Sequence, residues 1–300
     1  MPATLQGVVP IVATPFDARG ELDLPSLRRL VDYLIDAGVH GLAALGVAGE
    51  IFALTDGERR TVAETVVAQA AGRVPVVVGA SHNSAEAAAV LARDAARAGA
   101  AALMVMPPYF VKPTAQALHT YYTTVADAAG IPIMIQDNPG WTGVTIPADL
   151  IVRLADHPLI RYVKVETPAP LSKISELRRA AADRLTLLGG LGGNWFVEEL
   201  ARGARGTMPA AIMPGVYVEI WTHWQAGRAV EARVLFHRFH PVIRLTNQPA
   251  VGLALVKHYL WRAGVIATAR ARNPLPVPSA EDRGDLDRVC AELGLLPPAP

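Results

Sequence analysis

The sequence predicts a (β/α)8 barrel, the TIM barrel, with a C-terminal helical extension, and three observations carry that prediction. Apolar runs alternate with helix-period patterns eight times in about 225 residues, at spacings of roughly 25–30 residues. The runs are continuously apolar, as expected of parallel strands buried on both faces. No Gly-x-Gly-x-x-Gly follows the first run and no Walker A sequence occurs, which disfavours a doubly wound open sheet.

The elements follow in order. Residues 7–16, Gly-Val-Val-Pro-Ile-Val-Ala-Thr-Pro-Phe, form the first apolar run. A helix begins near Pro25, places Leu27, Leu30, Val31 and Leu34 on one face, and stops at Gly38. The second strand, 41–45, leads into the loop Gly46-Val47-Ala48-Gly49-Glu50. Thr55 or Asp56 caps the next helix, which ends near Gly72. Strands at 74–79, 102–106 and 132–136 alternate with helices at 84–98, 114–129 and 147–155. The stretch 159–167 is the sixth strand. Helix 171–182, strand 185–188, helix 194–202 and a short strand at 206–208 complete the alternation. The expected division is a barrel over 1–226 and a helical region over 227–300 packed on it. In that second region 231–245, 249–263 and 282–293 read as helices, and the proline-rich 273–278 and 297–300 as extended chain.

Composition narrows the function classes. A chain of 300 residues that is 51% hydrophobic can bury a barrel-sized core. A net charge of +1 gives no footprint for nucleic acid or an acidic membrane. Aromatic residues do not interleave with basic runs, and no apolar run reaches the roughly 18 residues of a membrane span. One cysteine, Cys290, excludes an intramolecular disulfide framework and fits a reducing compartment. The first residues lack a basic segment followed by an apolar one, so the expected location is cytoplasmic.

Lysine usage is the sharpest chemical signal. The chain has four lysines, Lys112, Lys164, Lys173 and Lys257, against 24 arginines, so cationic surface work falls to arginine. Lys164 sits inside the run Leu-Ile-Arg-Tyr-Val-Lys-Val-Glu-Thr, where burial disfavours the ammonium form. An amine freed of its proton is a nucleophile able to form a Schiff base with a carbonyl. The bland alternative is a strand-end lysine reaching to water. In a (β/α)8 barrel the active site forms at the C-terminal ends of the strands, and Lys164 falls there.

The same rule selects Thr14, the 46–50 loop, Ser81, His82, 107–110, 136–138, 189–193 and Met208. Gly46 to Glu50 is a glycine-bounded turn whose backbone N–H groups suit a carboxylate, or an ordinary strand–helix connection. Gly189-Gly190-Leu191-Gly192-Gly193 permits close backbone approach to a ligand, or is a flexible turn. The eight histidines show no Glu-x-x-His or His-x-His pattern; no metal is expected, and His237 and His240 read as surface or packing residues. No Gly-x-Ser-x-Gly nucleophile elbow occurs.

Thr14-Pro15-Phe16, Gly46-x-x-Gly49-Glu50, Pro107-Pro108-Tyr109, Asn138-Pro139 with Thr142-Gly143, and Val163-Lys164 together resemble the dihydrodipicolinate synthase/N-acetylneuraminate lyase family, over nearly the whole chain and in the right order. The resemblance implies a Schiff-base (β/α)8 lyase of a 2-oxo acid that needs no cofactor, with Lys164 as the imine-forming residue and Gly46, Val47, Ala48 and Gly49 at the substrate carboxylate. It also implies a homodimer or homotetramer.

Several positions depart from the family pattern. The two hydroxyl residues of the carboxylate loop are Val47 and Ala48 here, and the catalytic tyrosine falls on Gln136. A second tyrosine, lent by a neighbouring subunit, falls on Phe110, and the arginine that reads the synthase's second substrate falls on Trp141. Gln136 hydrogen-bonds but is no general base near neutral pH. Gly-Val-Ala-Gly-Glu, Gln136-Asp137-Asn138-Pro139, Val163 to Glu166 and the 189–193 glycines are similar to a subgroup acting on 2-keto-3-deoxy sugar acids, typified by L-2-keto-3-deoxyarabonate dehydratase.

The resemblance therefore implies dehydration through an imine on Lys164, with Gln136 beside it and Phe110, Trp141, Gly190 and Met208 lining the substrate. The base at C3 is open between an ordered water, the substrate carboxylate, Glu166 and His82. By period-two alternation Glu166 shares a strand face with Lys164, and a structural ion pair is its expected role. Two alternatives stand beside dehydration: a pyruvate-releasing aldolase, and a barrel that binds a 2-oxo acid without turnover.

Overall fold

The computed structural model describes residues 5–297. Its eight strands are β1 Gly7–Val8, β2 Leu42–Ala44, β3 Val76–Gly79, β4 Ala102–Val105, β5 Ile133–Asp137, β6 Ile160–Val165, β7 Thr186–Gly189 and β8 Gly206–Thr207. All pair in parallel, in the order β1-β8-β7-β6-β5-β4-β3-β2. Ile11, just past β1, bridges both Ala43 of β2 and Ala210 beyond β8, which brings the two ends of the sheet together. The first apolar run yields a two-residue strand because Pro10 and Pro15 carry no N–H for a ladder. Single bonds take the ladder's place: Val12 N–H donates to the Ala43 carbonyl at 2.8 Å, and Ala43 N–H to the Pro10 carbonyl at 2.9 Å.

Helices α1 Leu24–Asp36, α2 Asp56–Ala70, α3 Ala85–Arg97, α4 Ala115–Ala129, α5 Pro139–Thr142, α6 Ala148–Leu154, α7 Pro170–Ala181, α8 Phe196–Ala201 and α9 Pro214–Gln225 fill the connections. Their starts follow local chemistry. Thr55 and Glu58 form a capping box on α2, and the side chains of Ser84 and Thr114 cap α3 and α4. The short α5 lies outside the predicted elements, although Asn138 as cap and Pro139 at the first position are its ordinary signals.

Period-two alternation along the strands sorts the core into two layers. One small cluster fills the barrel interior: Val9, Ile11, Ala43, Val77, Met104, Met134, Leu188 and Met208. A large one, including Leu30, Val66, Leu103, Ile135, Val163 and Leu187, lies between strands and helices. The inward rows end, at the carboxyl ends of β5 and β6, in Gln136 and Lys164. Beyond α9 come α10 Ala229–Thr246, α11 Val251–Arg262 and α12 Ala280–Glu292. α10 packs on α8 and α9, while α11 packs on α10 and α12. No helix among the described residues is long and apolar enough to cross a membrane.

Candidate active site

Lys164 is the last inward-facing residue of β6 and is 3% exposed. In register it lies between Gln136 of β5 and Leu188 of β7, so the three side chains form one row of the barrel mouth. The other lysines are committed elsewhere. Lys112 donates to the Tyr109 and Thr142 carbonyls at 2.7 Å each, Lys173 pairs with Asp137 at 3.5 Å, and Lys257 pairs with Glu50.

Glu166, two residues on and 7% exposed, places Oε1 3.1 Å from Lys164 Nζ. Three further donors converge on its carboxylate. Gln136 Nε2 and Asn138 Nδ2 donate to Oε2 at 2.7 and 3.0 Å, and the Leu191 N–H donates to Oε1 at 3.1 Å. Burial acts to raise the carboxyl's pKa, but the Lys164 charge and these donors outweigh it and hold the group below the usual glutamate value. The ion pair expected from strand alternation is present. What sequence reasoning did not assign is the polar socket around it.

That socket depends on two local features. Asn138 Oδ1 accepts the Trp141 N–H at 3.2 Å as the cap of α5, which turns its Nδ2 toward Glu166. Gly190 supplies the space, since a Cβ there would stand 2.7 Å from both Cδ and Oε1 of Glu166. Gly190 therefore shapes the site through Glu166, and the Asn-Pro signal at 138–139 was the clue to Asn138.

Lys164 and Glu166 line a cavity of about 520 Å³, together with Val47, Ala48, Trp141 and Met208. Among its described lining residues these two are the ionisable ones. Val47–Gly49 forms a single 3₁₀ turn with Gly46 as N-cap. Among the described residues no acceptor takes the Val47 or Ala48 N–H, as the first turn of a helix dictates. Both glycines of the loop are close-approach positions: a Cβ on Gly46 would lie 2.8 Å from Ile11 Cγ2, and one on Gly49 2.9 Å from the Val12 carbonyl. Thr14 Oγ1 ties the loop down by donating to the Gly49 carbonyl at 2.6 Å. A far wall comes from the α10–α11 turn, where Asn247 Nδ2 donates to the Leu191 carbonyl.

Two predicted residues stand apart. Phe110 is 86% exposed and does not line this cavity; its N–H and that of Tyr109 both donate to Asn83 Oδ1 at 2.9 Å. His82 lines a separate cavity with Arg60 and Asp94 between α2 and α3, so it is not the base beside Lys164. Trp141 stacks on Phe52 with centroids 5.8 Å apart and stands between the Lys164 cavity and a second one holding Tyr109. His240 meets Asn194 Oδ1 at 2.9 Å, a packing contact.

Residues 4–292 match the model of the dihydrodipicolinate synthetase family. L-2-keto-3-deoxyarabonate dehydratase of Azospirillum brasilense is 36% identical to this chain over 303 residues, covering 97% of this chain and 95% of the relative. 4-Hydroxy-tetrahydrodipicolinate synthase of Thermodesulfovibrio yellowstonii is 32% identical over 241 residues, covering 79% and 81%. Among solved structures, a putative dihydrodipicolinate synthetase from Pseudomonas aeruginosa superposes with a TM-score of 0.92 at 29% identity, covering 97% of this chain and all 100% of that one. YagE, a prophage protein of E. coli K12 solved in complex with pyruvate, superposes with a TM-score of 0.92 at 26% identity, covering 98% and 100%.

Proposed function

The chain belongs to the dihydrodipicolinate synthetase family, and on that premise we propose that it is a Schiff-base hydro-lyase that dehydrates a 2-keto-3-deoxy sugar acid such as L-2-keto-3-deoxyarabonate. The observation that carries the reading is the Lys164–Glu166 pair at 3.1 Å in a cavity with no other ionisable lining residue among those described. Similarity to the Azospirillum brasilense dehydratase over nearly both full lengths supports it.

The chemistry uses one acid–base group repeatedly. Proton transfer from the Lys164 ammonium to Glu166 leaves an amine that attacks the C2 carbonyl. Glu166 returns the proton to the carbinolamine hydroxyl, which departs as water and leaves an iminium. The carboxylate then removes a C3 proton, made acidic by the iminium, to give an enamine. Protonation of the C4 hydroxyl by Glu166 lets the C4–O bond break as the enamine pair forms C3=C4. Hydrolysis of the conjugated iminium frees Lys164 and a 2-oxo-3-enoic acid. Retro-aldol cleavage instead needs a base on the C4 hydroxyl itself. The position the family gives to a tyrosine holds Gln136, whose amide donates to Glu166.

The Val47 and Ala48 N–H groups take the substrate carboxylate, Met208 and Trp141 bound its chain, and Gln136 and Asn138 orient Glu166. Homodimer or homotetramer assembly belongs to the same proposal, with the exposed Phe110 and Val111, at 86% and 73%, available to a second copy.

Incubation with L-2-keto-3-deoxyarabonate tests the reaction. Loss of one water without pyruvate is the expected outcome. Pyruvate release, read through a coupled dehydrogenase, would establish the aldolase reading, which the many relatives named as synthases favour. Borohydride reduction with pyruvate should fix an adduct on Lys164, and a folded protein without one would overturn the imine mechanism.

A further inference from the structure

The second buried lysine lies outside the cavity chemistry. Lys257, on α11, and Glu50, the residue that ends the 47–49 turn, are each 1% exposed and form an ion pair. Such a pair recovers its desolvation cost only where further polar contacts complete it. Here they do. Lys257 Nζ donates to the Arg270 carbonyl at 2.9 Å and lies 4.0 Å from the centroid of the Phe16 ring. Glu50 Oε2 accepts the Arg272 N–H at 2.8 Å. The Arg272 guanidinium packs 4.2 Å from the same ring and is held by Glu58 of α2.

Glu50 has φ +56° and ψ +35°, a left-handed conformation that a non-glycine residue holds only against a cost. Its N–H closes the turn on the Val47 carbonyl at 2.9 Å. The contacts that fix its side chain come from the C-terminal region, through Lys257 and Arg272, rather than from the barrel.

We propose that Lys257 is a positioning residue for the carboxylate loop: through Glu50 it holds the 47–49 turn in the conformation that presents the Val47 and Ala48 N–H groups to a 2-oxo acid. The proposal rests on the function given above for where the carboxylate sits. It makes the C-terminal helical region a part of substrate recognition.

A pH signature follows. Burial pulls the Lys257 amine down to about 8, against the opposing pull of Glu50 and with a smaller push from Arg272. The charged groups facing it are Glu50 from the loop and Arg272 from the segment after α11, with Glu58 behind Arg272. Because the folded value lies below that of a free lysine, the folded protein loses this charge as pH rises through about 8, before the unfolded chain does. On that linkage global stability does not fall across the interval, so a loop that loosens there is not unfolding.

The test is hydrogen–deuterium exchange of peptides covering 46–54, as protection factors, together with the pyruvate concentration that half-saturates borohydride trapping. In Lys257→Met, protection of the loop should fall and half-saturating pyruvate should rise, each about tenfold, with the trapping rate at saturation retained. In the wild type both quantities should move the same way between roughly pH 7 and 9, and Lys257→Arg, which keeps its charge, should flatten that change. Unchanged loop protection in folded Lys257→Met, or a wild-type profile that is flat and equal to that of Lys257→Arg, overturns the proposal. Should Lys257→Met fail to fold, the wild-type and Lys257→Arg profiles decide. Loosening of the loop as predicted, with no pyruvate adduct on Lys164, would uphold the clamp and remove the lyase reading instead.

Discussion

Glu166→Gln separates the two tasks assigned to the carboxylate. Four donors converge on its two oxygens: Lys164, Gln136, Asn138 and the Leu191 N–H. An amide has one acceptor oxygen. If that oxygen faces Lys164 and Leu191, the new NH2 opposes Gln136 and Asn138. Gln136 can turn its own carbonyl toward it, which leaves Asn138 Nδ2 as the unpaired donor. One such buried donor costs about 1–3 kcal/mol, so the variant folds with a modest loss of stability. Catalysis suffers more. Without a proton carrier, the C3 deprotonation and C4 hydroxyl protonation should slow about 10²–10⁴-fold, or about 3–5 kcal/mol of barrier. Formation of the imine can still draw on water, so borohydride should continue to trap pyruvate on Lys164. The assay is single-turnover water loss beside trapping, both across pH. Since the wild-type carboxyl is held below the usual glutamate value, its acid limb should lie below that value. The stabilisation of this pair is likewise present above that value and is lost as pH falls through the depressed one. Glu166→Gln with wild-type water loss would refute the assignment of Glu166 as proton carrier.

Gly190→Ala places a methyl 2.7 Å from Glu166 Oε1; the carboxylate should swing off Lys164 and turnover fall about a hundredfold, checked by steady-state rates on protein of unchanged circular dichroism. Arg272 holds the Glu58 carboxyl down to about 2, chiefly through its hydrogen bonds and only partly opposed by burial. Arg272→Met should therefore destabilise by on the order of 1–2 kcal/mol near neutral pH after solvent screening, and the difference from wild type should shrink as acid passes from about pH 4.5 towards 2, read by urea midpoints. Cys290 is fully buried and burial pushes its thiol up to about 12, so iodoacetamide should leave native protein unlabelled at pH 8 and label it in urea.

The barrel was legible because its signals are local and repeated. Continuous runs such as Val-Val-Val-Gly at 76–79 sit between capped helices, and the structure places a strand or helix at each beat. Departures cluster where proline intervenes. The run 7–16 reads as a short strand ending at Thr14-Pro15, yet its prolines leave two ladder residues and a few single bonds. At 139–142 the reverse holds, because a cap and a proline build a helix too short to show a periodicity.

The site was legible only along the chain, not across it. Lys164 stands out because lysine is rare here and falls in a strand, and Glu166 follows two residues later on the same face. What links them to Gln136 is strand register, Gln136 against Lys164, and nothing within either segment encodes it. Along the chain Gln136 reads only as a group that hydrogen-bonds but is no general base near neutral pH. In the folded chain the amide donates to Glu166 at 2.7 Å, so in the proposed reaction Gln136 positions a carboxylate where the family has a tyrosine. Gly190 tells the same story from the other side. Its glycine reads as freedom for a ligand, yet the space it leaves is filled by Glu166 itself. In the proposed reaction both residues act through Glu166. A lysine and a glutamate two apart at the end of one strand are therefore the smallest unit from which the rest of this site could have been sought.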